Sequence, residues 1–151
     1  ESADGRVIAP YYVLEYPEFV NAIAITERNE FVLIREYRHG AGVVGLGFPV
    51  GVMDREDGDP IIAAQRELRE ETGYTSDDWI SLGALYVNWS NQTNRIHYYL
   101  ARDAKLTDKQ SLDENEDIDV VPTPGDQAIK PGYLVHSHNV AGLMLAYPYL
   151  K

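Results

Sequence analysis

The stretch DPIIAAQRELREETGY, residues 59–74, carries the start and stop signals of one helix. Asp59 is a residue type that caps helix N-termini with its side chain, and Pro60 suits the first helical position. Gly73 suits the left-handed position that ends a helix. The pattern therefore predicts a helix over residues 60–72. Its inward-facing residues are Ile61, Ala64 and Leu68.

The same helix carries three glutamates within five residues. They are Glu67, Glu70 and Glu71. Their spacing of i, i+3 and i+4 places them on one side of the helix, away from Leu68, where like charges repel one another. From the helix alone two interpretations stay open. The side is either a solvated acidic face partnered by Arg66 and Arg69, or a surface that binds a divalent cation.

Two features outside the helix favour the metal interpretation. GFPVG, residues 47–51, leads towards the helix and offers backbone carbonyls that could join the carboxylates. A second acidic cluster, DENED at residues 113–117, precedes a strand-like segment. Mg²⁺ takes oxygen ligands in octahedral geometry and commonly bridges to substrate phosphates. The sequence thus offers two carboxylate groups and a turn that could share such an ion.

The composition is that of one globular domain with an acidic surface. The chain has 151 residues, of which 44% are hydrophobic and 25% charged. It has no cysteine, which excludes disulfides, thiolate metal sites and cysteine nucleophiles. The net charge of −11 argues against nucleic acid and anionic membranes as partners. It also repels a phosphorylated substrate, so such a site needs metal ions or a few placed arginines.

Targeting signals are not visible in the sequence. The first residues, ESADGRVIAP, lack the apolar region of a signal peptide. No apolar run reaches the roughly 18–20 residues of a membrane span. These observations predict a cytoplasmic protein.

Strand-like and helical segments alternate along the chain. Residues 19–26 and 31–37 are predicted as strands, joined by a hairpin turn at ERNE, residues 27–30. The four glycines of residues 39–47 indicate a flexible loop, followed by a short strand. Further elements are predicted at 79–87, 95–101, 117–123 and 136–150. The last of these is a helix, for which Ser137 and Asn139 are the cap candidates. This order predicts an α/β fold with a mixed sheet between helices, an α/β/α arrangement.

Residues 51–74, GVMDREDGDPIIAAQRELREETGY, resemble the Nudix box, G-x5-E-x7-R-E-U-x-E-E-x-G-U, where U is a bulky aliphatic residue. The residues that stand at the required spacing are Arg66, Glu67, Leu68, Glu70, Glu71 and Gly73, with Tyr74 in the last position. The stretches FVNAIAITERNEFVLIREYRHGAG, NRIHYYLARD and ENEDIDVV are similar to the ADP-ribose pyrophosphatase branch of Nudix hydrolases. Together the similar stretches cover most of residues 11–121.

The resemblance implies a Nudix fold, with the box as a loop-helix-loop beside a mixed sheet. It implies a single Nudix domain over residues 1–151, and a homodimer in which residues 1–18 serve as a dimerisation segment. The implied reaction is hydrolysis, dependent on Mg²⁺ or Mn²⁺, of a nucleoside diphosphate linked to another moiety. For this branch the substrate is ADP-ribose or a related nucleotide sugar, and the products are a nucleoside monophosphate and a sugar phosphate.

The resemblance also implies roles for individual residues. The implied metal ligands are Glu67, Glu70, Glu71, Glu116 and the backbone carbonyl of Val50. The implied catalytic residues are Glu114, as the general base, and Glu70. Arg66 is implied to orient the glutamates through ion pairs, and the other candidate structural residues are Gly51 and Gly73. The candidate substrate-binding residues are Arg38, Met53 and Trp89.

The loop before the helix departs from the box. The position of the first box glutamate holds Gly58, and the loop DREDGD, residues 54–59, is one residue longer than in the family. Glu56 or Asp57 could take the place of that glutamate. The departure motivates a second hypothesis, in which the chain is a Nudix-fold sensor module that binds a nucleotide without hydrolysing it.

Several other side chains have structural interpretations. His97 alternates along a strand and is predicted to be a hydrogen-bonded structural histidine, whereas His136 and His138 are predicted to be ordinary surface residues. Trp89 could stack on a base or sugar, or could equally be a half-buried loop anchor. Core or interface packing is the default prediction for Tyr11, Tyr12, Tyr16 and Tyr37, and stacking on a nucleobase is the alternative.

Overall fold

The computed structural model describes residues 2–7 and 9–150, and these form nine strands, three α-helices and one 3₁₀ helix. The strands are β1 (Phe19–Ala24), β2 (Glu30–Arg38), β3 (Val43–Gly47), β4 (Val50–Val52), β5 (Tyr74–Thr75), β6 (Asp78–Tyr86), β7 (Arg95–Arg102), β8 (Lys105–Leu106) and β9 (Ile118–Pro124). The helices are α1 (Pro60–Thr72), α2 (Gly125–Ala128), α3 (Ser137–Ala146) and the 3₁₀ helix Tyr147–Tyr149. None of the helices described is long and apolar enough to cross a membrane.

Helix α1 has the predicted bounds, and its local signals act as expected. The Asp59 carboxylate accepts a hydrogen bond from the Ile61 N–H at 3.1 Å, which satisfies one of the free donors of the first turn. Gly73 adopts φ = 73°, and its N–H donates to the Arg69 carbonyl at 2.8 Å. A Cβ at Gly73 would collide with the Asp108 carbonyl, so glycine is needed here for space as well as for conformation.

A four-stranded mixed sheet in the order β4-β1-β7-β6 forms the centre of the fold. Strand β1 runs parallel to β7 and antiparallel to β4, while β6 and β7 are antiparallel. Two smaller antiparallel sheets flank it, β3-β2-β9 and β5-β8. The register places Val20 of β1 between Gly51 of β4 and His97 of β7, so these three residues form one row across the sheet.

Helices cover both faces of the central sheet because successive side chains of a strand point to opposite faces. The α1 side contains the Ala63, Ala64 and Leu68 side chains, packed with Val20, Ala22 and Ala24 of β1. The α3 side contains Leu143 and Ala146, packed with Ile23 and with Tyr98 of β7. The predicted α/β/α arrangement, with a mixed sheet between helices, is confirmed.

The predicted hairpin turn between the first two strands is present, but the strands that it joins do not stay paired. A tight turn does join them, with the Thr26 N–H donating to the Glu30 carbonyl at 2.9 Å. Beyond one bridge between Ile25 and Phe31, however, β1 and β2 separate into different sheets. Both edges of β1 are already paired, with β4 and β7, so β2 pairs with β3 and β9 instead.

Two further sequence predictions are corrected. Residues 39–47 are not one flexible loop, because strand β3 begins at Val43 after a turn that ends at Gly42, where φ is 70°. Neither Ser137 nor Asn139 caps α3 with its side chain: the N-cap residue is His136, and it makes no side-chain capping bond. Asn139 instead turns inward and accepts a hydrogen bond from the Phe48 N–H.

Candidate active site

Helix α1 lies so close to strand β4 that two of its glutamates are buried. Glu67 is 9% exposed and Glu71 is 4% exposed. A Cβ atom at Gly51 of β4 would collide with the Glu67 carboxylate, so the absence of a side chain at Gly51 makes this approach possible. The interpretation of all three glutamates as a solvated face is therefore wrong for Glu67 and Glu71. Charged groups are almost never buried in this way without partners or a bound ion.

The Glu71 carboxylate faces the turn that carries Val50. The Val50 N–H donates to Glu71 Oε2 at 3.2 Å. Burial raises the pKa of Glu71 to about 9, and the charges of Glu67, Glu36 and Glu116 add to that effect. Burial also raises the pKa of Glu67 to about 7, with Arg66 opposing the rise and Glu70 and Glu116 adding to it. Several carboxylates therefore share one low-dielectric region and oppose one another's ionisation.

Arg66 connects the helix, the preceding loop and strand β4. Its guanidinium donates to Glu67 at 2.8 Å, to Glu70 at 3.1 Å and to the Val52 carbonyl at 3.2 Å. The Asp57 hydrogen bonds and the charge of Glu67 raise the pKa of Arg66 well above its usual value. An arginine presents several donors in a fixed planar arrangement, so one side chain can hold all these acceptors at once.

Asp57 is the loop residue that anchors Arg66. It accepts from Arg66 Nε at 3.1 Å and from Nη2 at 3.0 Å, a bidentate pair. The Arg66 guanidinium holds the pKa of the Asp57 carboxyl below its usual value. Glu56, the other residue considered for this place, is exposed. Asp57 therefore contacts the box arginine even though the position of the first box glutamate holds Gly58.

The acidic loop before β9 is held at both ends near the end of α1. The Ser111 N–H donates to the Glu70 carbonyl at 2.9 Å. The Gln110 side-chain amide donates to the Glu71 carbonyl at 2.8 Å and to the Ile118 carbonyl at 3.0 Å. Within the loop, Glu116 accepts from the Asp113 N–H at 2.9 Å, and its charge raises the pKa of Glu71. Glu114 is exposed on the same loop.

Glu36 of β2 joins these carboxylates and was missed by the sequence analysis. Burial raises the pKa of Glu36. The charge of Arg38 opposes this rise, and the charge of Glu116 adds to it. Glu36 also forms an ion pair with Arg38 on the same strand. A signal was present, because strand alternation places Glu36 on the same face as Val32 and Ile34, which are both fully buried.

The three candidate substrate-binding residues lie in different surroundings. Arg38 is about half exposed and lies near His136, whose pKa is lowered by burial and by the Arg38 charge. Met53 is half-buried and packs against the α1 side of the core. Trp89 is 85% exposed after β6, so its interpretation as a half-buried anchor is wrong for the single chain. Strand β6 is three strands from β4, roughly 14 Å at the usual strand spacing.

The histidines are only partly as predicted. The His97 ring contacts the Glu18 carboxylate, which also accepts from Arg95 Nε at 3.1 Å, so His97 is hydrogen-bonded as expected. The bond to His97 holds the pKa of Glu18 below its usual value. His138 is not an ordinary surface residue: it is half-buried, and its Nδ1 lies 3.4 Å from the Tyr98 hydroxyl.

The donor set fits a hard divalent cation. Glu67 and Glu71 are carboxylates one helical turn apart, and the turn beside them offers the Val50 carbonyl. Within the described part of the chain, no three acidic or histidine side chains form a ready-made metal cluster. The Glu67 and Glu70 carboxylates accept hydrogen bonds from Arg66, and the Glu71 carboxylate accepts one from the Val50 N–H. These side chains must therefore change rotamer to coordinate an ion together.

Comparison with known proteins identifies the family. The NUDIX domain family matches residues 16–139. The chain is 28% identical over 136 residues to an ADP-ribose pyrophosphatase of Bacillus subtilis (strain 168), covering 89% of this chain and 71% of that protein. It is 31% identical over 121 residues to a methanol dehydrogenase activator of Bacillus methanolicus, covering 78% of this chain and 64% of the relative.

Two further comparisons agree with this. A GDP-mannose pyrophosphatase of Escherichia coli O9:H4 (strain HS) is 29% identical over 116 residues, covering 70% of this chain and 58% of that protein. The crystal structure of an ADP compounds hydrolase superposes with a TM-score of 0.77 at 28% identity, covering 89% of this chain and 72% of that one. The chain thus spans less than two thirds of some relatives and somewhat more of others. It belongs to the Nudix family, and it is similar to the ADP-ribose pyrophosphatase-like members of that family.

Proposed function

We propose that the chain hydrolyses the pyrophosphate bond of a nucleoside diphosphate linked to another moiety, with ADP-ribose or a related nucleotide sugar as substrate. The products are a nucleoside monophosphate and a sugar phosphate. The observation that carries the proposal is the burial of Glu67 and Glu71 beside the Val50 turn, with Arg66 holding Glu67 and Glu70. Buried, adjacent carboxylates oppose one another's ionisation, and a bound cation would remove that cost.

Metal binding would explain why these carboxylates are buried close together. The residues that would hold Mg²⁺, or Mn²⁺, are Glu67, Glu70, Glu71, Glu116 and the carbonyl of Val50. When bound, such ions supply charge neutralisation of the pyrophosphate and a more acidic attacking water. The chain has a net charge of −11 and would otherwise repel an anionic substrate. Among the candidate substrate contacts, Arg38 offers a half-exposed cation.

The hydrolytic step requires a base and correct placement. We assign the base to Glu114, whose exposed carboxylate takes a proton from the attacking water. The water oxygen forms a bond to one phosphorus, the bridging P–O bond breaks, and the other phosphate leaves with the electron pair. The loop that carries Glu114 is attached to α1 through Ser111 and Gln110, so this base and the metal-binding glutamates share one support. Catalysis then depends mainly on positioning and electrostatic stabilisation.

The relatives support the substrate class. The names of three of them specify ADP-ribose, GDP-mannose or ADP compounds, and all of these contain a nucleoside diphosphate. The shared feature is a pyrophosphate bond next to a nucleoside, whereas the base and the sugar differ. The test is a panel of ADP-ribose, nucleotide sugars, dinucleoside polyphosphates and NADH with Mg²⁺. We expect monophosphate release that is greatest for ADP-ribose or a nucleotide sugar and is abolished by EDTA.

The second candidate is a sensor module that binds a nucleotide without hydrolysing it. The altered loop, with Gly58 at the place of the first box glutamate, is the observation that favours it. The bidentate contact between Asp57 and Arg66 weighs against the sensor, because Asp57 holds the arginine although the first box glutamate is absent. Calorimetry that shows tight ADP-ribose binding without turnover under Mg²⁺ or Mn²⁺ would favour the sensor.

We also propose that the chain forms a homodimer through its N-terminal segment. Segment 11–16 is fastened to the loop after β6, where the Leu14 N–H donates to the Asn91 carbonyl at 2.7 Å. Large exposed apolar side chains concentrate there: Tyr11, Tyr12, Val13, Leu14, Tyr16 and Trp89. Such patches commonly mark protein interfaces. Light scattering should report a dimer mass for the full chain, and a dimer that persists when residues 2–16 are removed would argue against this surface.

A further inference from the structure

Asn139 of α3 lies on the opposite face of β1 from the carboxylates, yet it contacts the turn that leads to Val50. The residue is 5% exposed. Its Oδ1 accepts from the Phe48 N–H at 3.1 Å and from Asn21 Nδ2 at 3.4 Å. Buried polar groups that are hydrogen-bonded in this way hold their partners firmly, because breaking the bond leaves both groups unsatisfied. Asn139 therefore fixes the Phe48 peptide from the α3 side.

Gly47 leaves the space that Asn139 occupies. A Cβ atom at Gly47 would lie 2.5 Å from Asn139 Nδ2 and 3.2 Å from its Cγ. Gly47 does not have a left-handed φ, so conformational freedom does not explain the glycine. Its role is steric, because any side chain here would push the Asn139 amide away from the Phe48 N–H. Gly47 and Asn139 thus form a matched pair.

The same short turn is held from the α1 side by the candidate metal site. The Pro49 carbonyl accepts from the Ala22 N–H of β1 at 2.9 Å. The Val50 N–H then donates to Glu71 at 3.2 Å. Three consecutive residues, 48–50, are therefore each fixed by one hydrogen bond, and those bonds come from α3, β1 and α1 in turn.

We propose that Asn139 is a positioning residue for the candidate active site, acting through the Phe48 peptide to set the place of the Val50 backbone against Glu71. This inference rests on the proposed roles of Val50 and Glu71 in metal binding. Without the Asn139 bond, the backbone of residues 48–50 keeps only the hydrogen bonds to β1 and α1, so the peptide can shift although the Phe48 ring stays packed in the core. A misplacement of about 1 Å at a catalytic centre can lower a rate by up to about 100-fold.

The test compares Asn139→Ala, Gly47→Ala and the double variant with the wild-type chain. Mg²⁺ affinity is measured by calorimetry without substrate, and kcat and KM are measured with the best substrate of the panel. The matched controls are Ser137→Ala, which removes an exposed side chain of α3, and Gly45→Ala, where a Cβ would meet nothing within 4 Å. Each single variant should weaken Mg²⁺ binding and lower kcat by about tenfold, with KM within about twofold.

The double variant tests whether the two residues act together. Gly47→Ala harms the wild-type chain by displacing the Asn139 amide, so it should add little once that amide is gone. A fully additive double variant would contradict the proposal. So would single variants that lower only the melting temperature, with Mg²⁺ affinity and kcat within twofold of wild type.

Other outcomes also decide between the proposals. If Asn139→Ala does not fold, the Gly47→Ala variant, which keeps the asparagine, provides the test. If its Mg²⁺ affinity and kcat equal those of Gly45→Ala, the inference is overturned. If wild-type protein binds Mg²⁺ but hydrolyses nothing, the proposed function fails. The Mg²⁺ affinities of the variants still test the positioning role in that case.

Discussion

The Glu67 carboxylate occupies the space that a Cβ atom of Gly51 would take. This single relationship brings α1 against β4 and explains why Glu67 is buried. The atoms that a Cβ at position 51 would meet are all at the end of the Glu67 side chain, so a substitution there acts on the carboxylate before it acts on any backbone. Any side chain at position 51 therefore moves a candidate metal ligand.

Gly51→Ala should weaken Mg²⁺ binding and activity more than it lowers stability. The added methyl group forces the Glu67 carboxylate away, and a displaced ligand costs about 10-fold or more in activity. The measurement is Mg²⁺ affinity by calorimetry beside the urea midpoint. Gly40→Ala is the matched control, since a Cβ there would meet nothing within 4 Å. Equal Mg²⁺ affinities for the two variants would contradict this account of Gly51.

Asp57→Asn should be harmful, whereas Glu56→Gln should be close to neutral. Asp57 makes the bidentate contact to Arg66, and Asn offers that guanidinium only one acceptor oxygen. Arg66 is then less firmly held near Glu67 and Glu70, so kcat should fall by about 10-fold. Glu56 is exposed and serves as the neighbouring control. If Glu56→Gln lost more activity than Asp57→Asn, the residue that holds Arg66 would be Glu56 and not Asp57.

The stability of the metal-free protein should fall as the pH rises from 5 to 9. Glu67 and Glu71 have pKa values raised from 4.5 to about 7 and about 9 by burial. A raised folded-state pKa gives stability that is fully present below pH 4.5 and is lost as the pH rises through the folded-state values. The melting temperature in EDTA should therefore decline between pH 5 and 9, and Mg²⁺ should raise it more at pH 8 than at pH 5.

Glu71→Gln supplies the control for this pH dependence. A glutamine cannot ionise, so the decline in melting temperature above pH 7 should become shallower. An unchanged slope in this variant, or a flat profile in the wild-type chain, would show that the buried carboxylates are not its source.

Gly73→Ala should destabilise the chain more than Gly58→Ala. Both glycines have left-handed φ angles, 73° and 68°, so alanine at either position costs about 1–2 kcal/mol in backbone strain. Only at Gly73 does a Cβ also collide, with the Asp108 carbonyl, whereas at Gly58 it meets nothing within 4 Å. Urea denaturation measures the difference, and equal losses would mean that the backbone at Asp108 moves freely.

The sequence was most informative where the signals are local. The bounds of α1 follow from Asp59 and Gly73, which act within one turn of the helix. Strand β3 was missed because four glycines outweighed the β-branched Val43 and Val44. The separation of β1 from β2 was missed because strand pairing depends on which edges are already occupied, and that is a tertiary property.

The site was predictable in its residue types more than in its contacts. The box spacing indicated Glu67, Glu70 and Glu71, but only the packing against Gly51 shows that two of them are buried. The choice of Asp57 over Glu56 depends on the reach of Arg66, which no sequence pattern encodes. Glu36 could be recognised only once it was known that its face of β2 is covered. The distance of Trp89 from β4 could be predicted only from the strand order.

The most direct test of the central claim is the rate of AMP release from ADP-ribose by wild-type protein and by Glu71→Gln, with Mg²⁺ and with EDTA. Glu27→Gln is the control, because Glu27 is an exposed partner of Lys105 at the β1–β2 turn. We predict Mg²⁺-dependent release by the wild type and by Glu27→Gln, and a loss of about 100-fold or more in a folded Glu71→Gln. Full turnover by Glu71→Gln would contradict the assignment of this buried carboxylate to the metal site.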